Sequence, residues 1–423
     1  MFNIAVIGAG IGGCSAAYFA HKLLPNSKVT VYERGTRIGG RATTFRSGHV
    51  NHELGAAFFN SNNLIVSNLV RELGLEVQQL KDVNDIAVWN GTEVVFRSNH
   101  KLFYSMLKLV GKYGFSVPKL LLSLRKASNS VKKLYEHKEP TEFCSLFESL
   151  GLDKWYKRSF DEILVELGVD QKFIDELITP ITRIIYSQNA ELGGFAGLSA
   201  LLNVYGESIY SLKDGNEVLP QKLVEASAAD VRLDAKVDVV KKTENNGFLV
   251  CVGEQSSPFD AVIVATPLEV ADMTFEGVSP RILQREYQKI YIQVMKGVVK
   301  PSYFNLDSSA SLPSIVLTSK EVDPVTRFSI KDVPKGESWV TVTSTQPIGD
   351  SLCNEIFKNG TTVLDHTWTA AYPCFKPVKR IPDAFLDDGL VYLNAIESAA
   401  SSLESSAFAA LTAVNRLKQQ ISS

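Results

Sequence analysis

The chain has 423 residues, of which 45% are hydrophobic and 21% charged, with a formal net charge of −2. That length supports two domains around a large core. The near balance of charge argues against a nucleic-acid partner. Five cysteines, at 14, 144, 251, 353 and 374, share no CxxC spacing and are odd in number. This argues against a metal site and against a full disulfide framework.

The first stretch, MFNIAVIGAGIGGCSAAYFAHKLL, reads as strand, glycine turn and helix. FNIAVI is a short apolar run of the kind buried in a parallel sheet. Gly8, Gly10 and Gly13 fit G-x-G-x-x-G, with Ile11 and Gly12 at the start of the helix. Gly8 permits the tight turn, Gly10 admits a pyrophosphate to the backbone, and Gly13 lets helix and strand pack closely. The free N–H groups of the helix then face the phosphates. KVTVYE is a second strand ending on Glu33, twenty residues after Gly13. A carboxylate there accepts hydrogen bonds from both ribose hydroxyls of an adenosine. No signal peptide fits before a strand that starts at Phe2. No run of eighteen apolar residues predicts a membrane-spanning helix.

Residues 61–200 read mainly as helices. NLIVSNLVRELGL has helical spacing and stops at Gly74. WNGTEVVF, residues 89–96, reads as a hairpin turning on Asn90-Gly91. The span 101–138 holds nine Lys or Arg and one acid, Glu136. Apolar residues recur among the basic ones, and Pro118 is expected to divide the span into two helices. Such a pattern suits either an anionic membrane surface or a solvated basic face. DAVIVATP, residues 260–267, is a buried strand that leaves its sheet at Pro267. VRLDAKVDVVKKTENNGFLVCV, residues 231–252, reads as strand, short turn, strand, and residues 285–345 alternate as half-buried strands. The tail LNAIESAASSLESSAFAA, residues 393–410, sets Glu397 after a strand and starts a helix near Ser402-Leu403-Glu404, where Glu404 in the first turn suits the helix dipole.

Arg37-Ile-Gly-Gly-Arg41-Ala-Thr-Thr closely resembles the R-x-G-G-R-x-x-[ST] motif of FAD-binding oxidoreductases of the amine-oxidase type. The resemblance implies FAD as cofactor. It implies that Gly40 closes a second loop over the pyrophosphate and that Arg41 brings positive charge there. Glu53-Leu-Gly-Ala-Ala-Phe-Phe is similar to the family's segment beside the flavin, which Gly55, Ala56 and Ala57 would leave open. Arg34 follows the ribose-binding acid. Val237 matches the valine whose backbone meets the adenine in related flavoproteins, and Thr266 lies in the family's Ala-Thr-Pro exit. Glu397 resembles the acid that closes over the pyrophosphate and ribityl region, with Ser402 and Leu403 offering the next helix's N–H groups to the flavin. Lys296 resembles the flavin-side lysine of amine oxidases.

FIDELITPITRIIYSQNAE with GGFAGLSALL, SLKDGNEVLP, DAVIVATPLE and VYLNAIESAASSLE together resemble the prenylcysteine oxidase (prenylcysteine or farnesylcysteine lyase) family. The likeness runs from Phe2 to about Leu417. It implies an α/β fold: a Rossmann-like FAD domain from 1–60, 206–270 and 380–423, and a mixed α+β substrate domain from 61–205 and 271–379. It implies a thioether oxidase that cleaves farnesyl- or geranylgeranylcysteine. Hydride leaves the prenyl carbon next to sulfur for the flavin, water attacks, and prenal and cysteine separate. O₂ takes the electrons and becomes H₂O₂. Tyr186 and Tyr372 are candidates to shape the site, and His52 is a remote candidate base. An amine oxidase or desaturase-like enzyme is the first alternative. A non-catalytic prenyl-binding protein of the GDP-dissociation-inhibitor group is the second. The expected compartment is cytoplasmic as the chain stands, or lysosomal if a leader has been removed.

Overall fold

The computed structural model describes residues 1–423 except 49, 81–84, 99–101, 205–207, 282, 334–335 and 423; at 102–106 and 333 it describes backbone only. Lys101 and the expected boundary at 205–206 therefore lie outside the described residues.

Three separated stretches of chain build one six-stranded sheet. Phe2–Ile7 runs at its centre, parallel to Ser27–Tyr32 on one side and to Ala261–Val264 on the other. Asp230–Arg232 extends the first side in parallel. Leu390–Tyr392 extends the second in parallel, and Phe385–Asp387 closes that edge antiparallel. Ala261–Val264 is buried at every residue, as a strand covered on both faces must be. Helix Ile11–Leu23 packs against Val218–Ala226 and Leu403–Ser422, so the last helix of the chain covers the first.

The stretch 231–252 was expected as strand, turn, strand. It forms parts of two sheets. Asp230–Arg232 joins the parallel sheet, while Val239–Lys242 and Phe248–Val252 pair antiparallel in a separate four-stranded sheet. Asp234 causes the division. Its φ of 52 is left-handed backbone, which ends a strand. Val237 consequently sits in the connection, buried at 5% exposure, and not in a strand.

A seven-stranded sheet forms the second layer, in the order Thr361–Trp368, Ile290–Gly297, Glu337–Ser344, Val325–Val333, Ile315–Thr318, Ile86–Trp89, Val94–Arg97. The Asn90-Gly91 hairpin joins the last two strands. Helices between 102 and 204 pack beside it.

The basic span folds as Leu102–Tyr113 and Ser116–Glu136. The break falls at Gly114, with φ +57, and not at Pro118. Pro118 lies in the first turn of the second helix, where its missing N–H costs nothing. No described helix is long and apolar enough to cross a membrane.

A Cβ at Gly13 would stand 1.9 Å from the Gly8 carbonyl oxygen, whereas one at Gly74 meets nothing within 4 Å. Gly13→Ala is expected to cost about 3 kcal/mol. Gly74→Ala, strained only by its positive φ, is expected to cost about 1 kcal/mol. Denaturant melts of the two variants should separate by that margin.

Candidate active site

The glycine turn after Phe2–Ile7 and the loop of Gly39 and Gly40 lie against each other. Gly8 holds φ +107, and a Cβ there would stand 2.8 Å from Ala265 O. Gly39 N donates to Ala9 O at 2.8 Å, and a Cβ at Gly40 would come within 3.0 Å of Gly10 Cα. Side chains would fill this cradle. Glu33 braces it from below. Its Oε2 accepts from Ala9 N at 2.9 Å and its Oε1 from Gly35 N at 2.8 Å. Each oxygen keeps a lone pair for a ribose hydroxyl. Arg34 donates to Val270 O, and Arg37 to Gly40 O. Open glycine backbone beside a braced carboxylate fits an adenine dinucleotide.

At the other end of the cradle, Arg41 is tied to three distant residues. Nη2 donates to the Glu397 carboxylate, while Nη1 reaches Ala371 O at 3.1 Å and Ser401 Oγ at 3.4 Å. Tyr287 donates to Glu397 Oε2 at 2.7 Å. Burial opposes ionisation of Glu397, but Arg41 and Arg285 outweigh it and hold the carboxyl below its ordinary range. Arg285 is in turn paired with Glu269 and bonded to Tyr392. Arg41 was expected to bring positive charge to the pyrophosphate and Glu397 to close over it; the two are ion-paired on the cleft wall.

Glu404 was expected to serve its own helix dipole. Its carboxylate crosses to the helix Leu64–Glu72 and accepts from Ile65 N at 2.8 Å and Val66 N at 2.9 Å. That is a capping role for another helix, whose first N–H groups have no partner of their own. Ser402 Oγ caps the last helix itself, accepting from Ser405 N at 3.0 Å.

One cleft of about 2440 Å³, its open mouth included, joins these parts. Gly8, Gly10, Ile11, Gly12, Glu33, Arg34, Gly40 and Arg41 line one end. Gly55, Ala56, Ala57, Thr266, Glu397, Ser402 and Leu403 also line it, as do Tyr186 and Tyr372. Tyr186 stands edge-on to Tyr372 at 5.3 Å and to Phe375 at 4.8 Å. The seven-stranded sheet supplies the far wall. His366, Ile292, Thr343 and Arg327 are cross-strand neighbours on four adjacent strands, and all four line the cleft. Ile290 and its partner Trp368 form the next row.

A profile of the prenylcysteine lyase family matches residues 96–422, and one of the NAD(P)-binding Rossmann-like domain matches 6–73. The chain belongs to the prenylcysteine lyase family. It is 30% identical to mouse "Prenylcysteine oxidase 1-like", over 99% of this chain and 91% of that one. It is 29% identical to "Farnesylcysteine lyase" of Arabidopsis thaliana, over 96% and 86%. Among solved structures it superposes on cyclohexylamine oxidase from Brevibacterium oxydans with TM-score 0.69, covering 100% of both chains at 16% identity. Putrescine oxidase gives TM-score 0.65 at 14% identity, over 99% of each chain. The fold is thus that of the amine oxidases, and this family member is an oxidoreductase.

Four sequence candidates lie off the cleft wall. Gly13 packs beneath it, and Val237 is buried in the main hydrophobic core. His52 is buried with Nδ1 3.0 Å from Thr341 Oγ1, and burial pushes its pKa down to about 4. It is packed between the sheet and the hairpin Thr44–Glu53, not posed as a base. Lys296 pairs with Glu337 at 2.7 Å and lies over the Trp339 ring, away from the cleft. Sequence reasoning missed Tyr287, Arg285, Arg327, His366 and Trp368. Strand alternation alone could have grouped His366 and Trp368.

Burial pushes the Glu404 carboxyl up to about 7. A carboxyl raised above its unfolded value favours the protonated folded state, so its contribution declines as pH rises from about 4.5 to 7. Relative to Glu404→Gln, the wild type should lose up to about 3 kcal/mol of stability across that window. Urea melts at pH 5 and pH 7.5 read the difference.

Proposed function

We propose that this oxidoreductase is an FAD-dependent prenylcysteine oxidase. The overall conversion is prenylcysteine plus O₂ plus water to prenal, cysteine and H₂O₂. The observation that carries the reading is one continuous cleft, running from the dinucleotide cradle to an aliphatic and aromatic chamber, in a member of the prenylcysteine lyase family. The relatives named prenylcysteine oxidase and farnesylcysteine lyase support the same substrate class.

When bound, FAD supplies the acceptor for the hydride and the route for the electrons to O₂. The chain's own part is position and dryness. Ile184, Ile185, Ile290 and Ile292 offer the prenyl chain apolar surface, and each buried CH₂ contributes about 0.8 kcal/mol. Tyr186, Tyr372 and Trp368 bound the chamber with rigid rings. Loss of hydride from the carbon next to sulfur leaves a cation stabilised by sulfur and the allylic double bond. Water adds to that carbon, and the carbon–sulfur bond breaks to release aldehyde and thiol. No side-chain nucleophile takes part.

The amine-oxidase fold keeps an amine substrate as the second reading. Anaerobic reduction of the bound flavin, followed by its absorbance near ~450 nm, separates the two. Farnesylcysteine or geranylgeranylcysteine should bleach it, and cyclohexylamine should not. Bleaching by the amine alone would transfer the assignment to amines, and freshly purified protein without flavin absorbance would remove the oxidase reading.

The substrate class originates on lipidated proteins, and the helices Leu102–Tyr113 and Ser116–Glu136 suit contact with an anionic membrane. Phe115, Lys119, Leu122, Arg125, Lys126 and Asn129 are exposed at helical spacing, with Phe115 at 81% and Leu122 at 58% exposure. Lys112 is engaged, pairing with Glu176 at 2.7 Å, so Lys108, Arg125 and Lys126 carry the charge contact. Sedimentation with phosphatidylserine liposomes should weaken as salt rises. Charge reversal at those three residues should abolish it, and unchanged sedimentation would leave a solvated basic face.

A further inference from the structure

Arg327 is a cation on the chamber wall with no acid beside it among the described residues. Its Nη2 donates to Thr343 Oγ1 at 3.0 Å, and its Nε is buried without a partner. Arg183 provides the local contrast. That arginine is 2% exposed and pairs with Asp323 at 2.7 Å, while donating to Asn189 Oδ1 and Val325 O. The fold thus supplies a counter-charge where an arginine is buried for structure. At Arg327 it supplies a hydroxyl. Burial pulls the Arg327 pKa down, the cost of holding a charge away from water.

The backbone directs this side chain deliberately. Val325 pairs with Ser344 and Arg327 with Thr343, so Thr326 is one extra residue, a β-bulge. Val325 and Phe328 both enter the same apolar cluster although they stand three residues apart, which a regular strand with period two cannot do. The bulge restores that face and turns Arg327 to the other, where it lines the cleft beside Tyr372. The lining carboxylates do not compensate it. Glu397 is matched by Arg41, Glu404 by backbone N–H groups, and Glu33 lies in the dinucleotide cradle.

We infer that Arg327 is the anchor for the α-carboxylate of the substrate's cysteine moiety, selecting free prenylcysteines over prenyl thioethers that lack a carboxylate. The planar guanidinium suits two parallel hydrogen bonds to a carboxylate. Anchoring the amino-acid end at the sheet leaves Ile290, Ile292 and the tyrosine rings for the prenyl end. This assignment rests on the prenylcysteine reading above.

The test compares S-farnesyl-L-cysteine with S-farnesylcysteamine, the same thioether without its carboxylate, on flavin-loaded wild type, Arg327→Met and Arg327→Lys. Steady-state H₂O₂ release gives kcat and KM, and anaerobic titration gives Kd. Wild type should favour farnesylcysteine by about 30-fold or more in kcat/KM. Arg327→Met should erase that preference, by raising KM and Kd for farnesylcysteine with kcat little changed and farnesylcysteamine unaffected. Arg327→Lys should keep part of it. If Arg327→Met does not fold, as judged by its melt and flavin content, the wild-type ratio and the Lys variant decide. Equal use of both thioethers by wild type, or undiminished preference in Arg327→Met, overturns the anchor alone. Oxidation of neither thioether by wild type overturns the substrate reading and the anchor with it.

Discussion

The ion pair between Arg41 and Glu397 holds the cleft together. Its partners are 356 residues apart in the chain. Arg41 belongs to the second glycine loop, Glu397 to the turn after the last sheet strand, and Ala371 and Tyr287, which complete the cluster, to segments flanking the seven-stranded sheet. Without this knot, the loop over the dinucleotide, the tail and the sheet of the chamber would have no common fixed point. A buried ion pair is rarely a large net source of stability, because desolvation offsets much of the attraction. Removal of Arg41, however, leaves Glu397 charged and buried, at a cost of about 3–5 kcal/mol. The pair therefore specifies an arrangement more than it adds to stability.

The network around it distributes charge carefully. Arg285 faces Glu269 as well as the Glu397 cluster, and two tyrosine hydroxyls bridge the gaps. The small residues of the tail leave the room these groups occupy. The segment that carries Glu397 is a short 3₁₀ turn, Leu393–Ser398, buried throughout. It is followed by the helix Leu403–Ser422, whose second residue caps a different helix.

The dinucleotide end was legible because its chemistry is local. Gly8, Gly10, Gly13 and Glu33 lie within one strand–turn–helix–strand unit, and steric demands fix their spacing. The parallel sheet was legible for a similar reason, since runs such as AVIV suit only a strand covered on both faces. The partner of Arg41 was not legible, because an ion pair across 356 residues leaves no local pattern. Asp234 was misread because a single left-handed residue interrupts a run with good strand propensity. Pro118 drew attention away from Gly114, although a proline in a first helical turn ends nothing. Arg327 was hidden by the bulge, which shifts the alternation that strand reading depends on.

The same bulge has an evolutionary reading. Thr326 is the one residue by which the strand Val325–Val333 exceeds its neighbour at this point. Without Thr326, Val325, Arg327 and Phe328 would alternate as in a regular strand, Val325 and Phe328 still on the apolar face and Arg327 still on the chamber side. The extra residue is absorbed locally, so a strand can change its length by one at this point without exchanging its two faces. The bulge is thus a place where the chain tolerates a change in length while the polarity of the chamber floor is conserved.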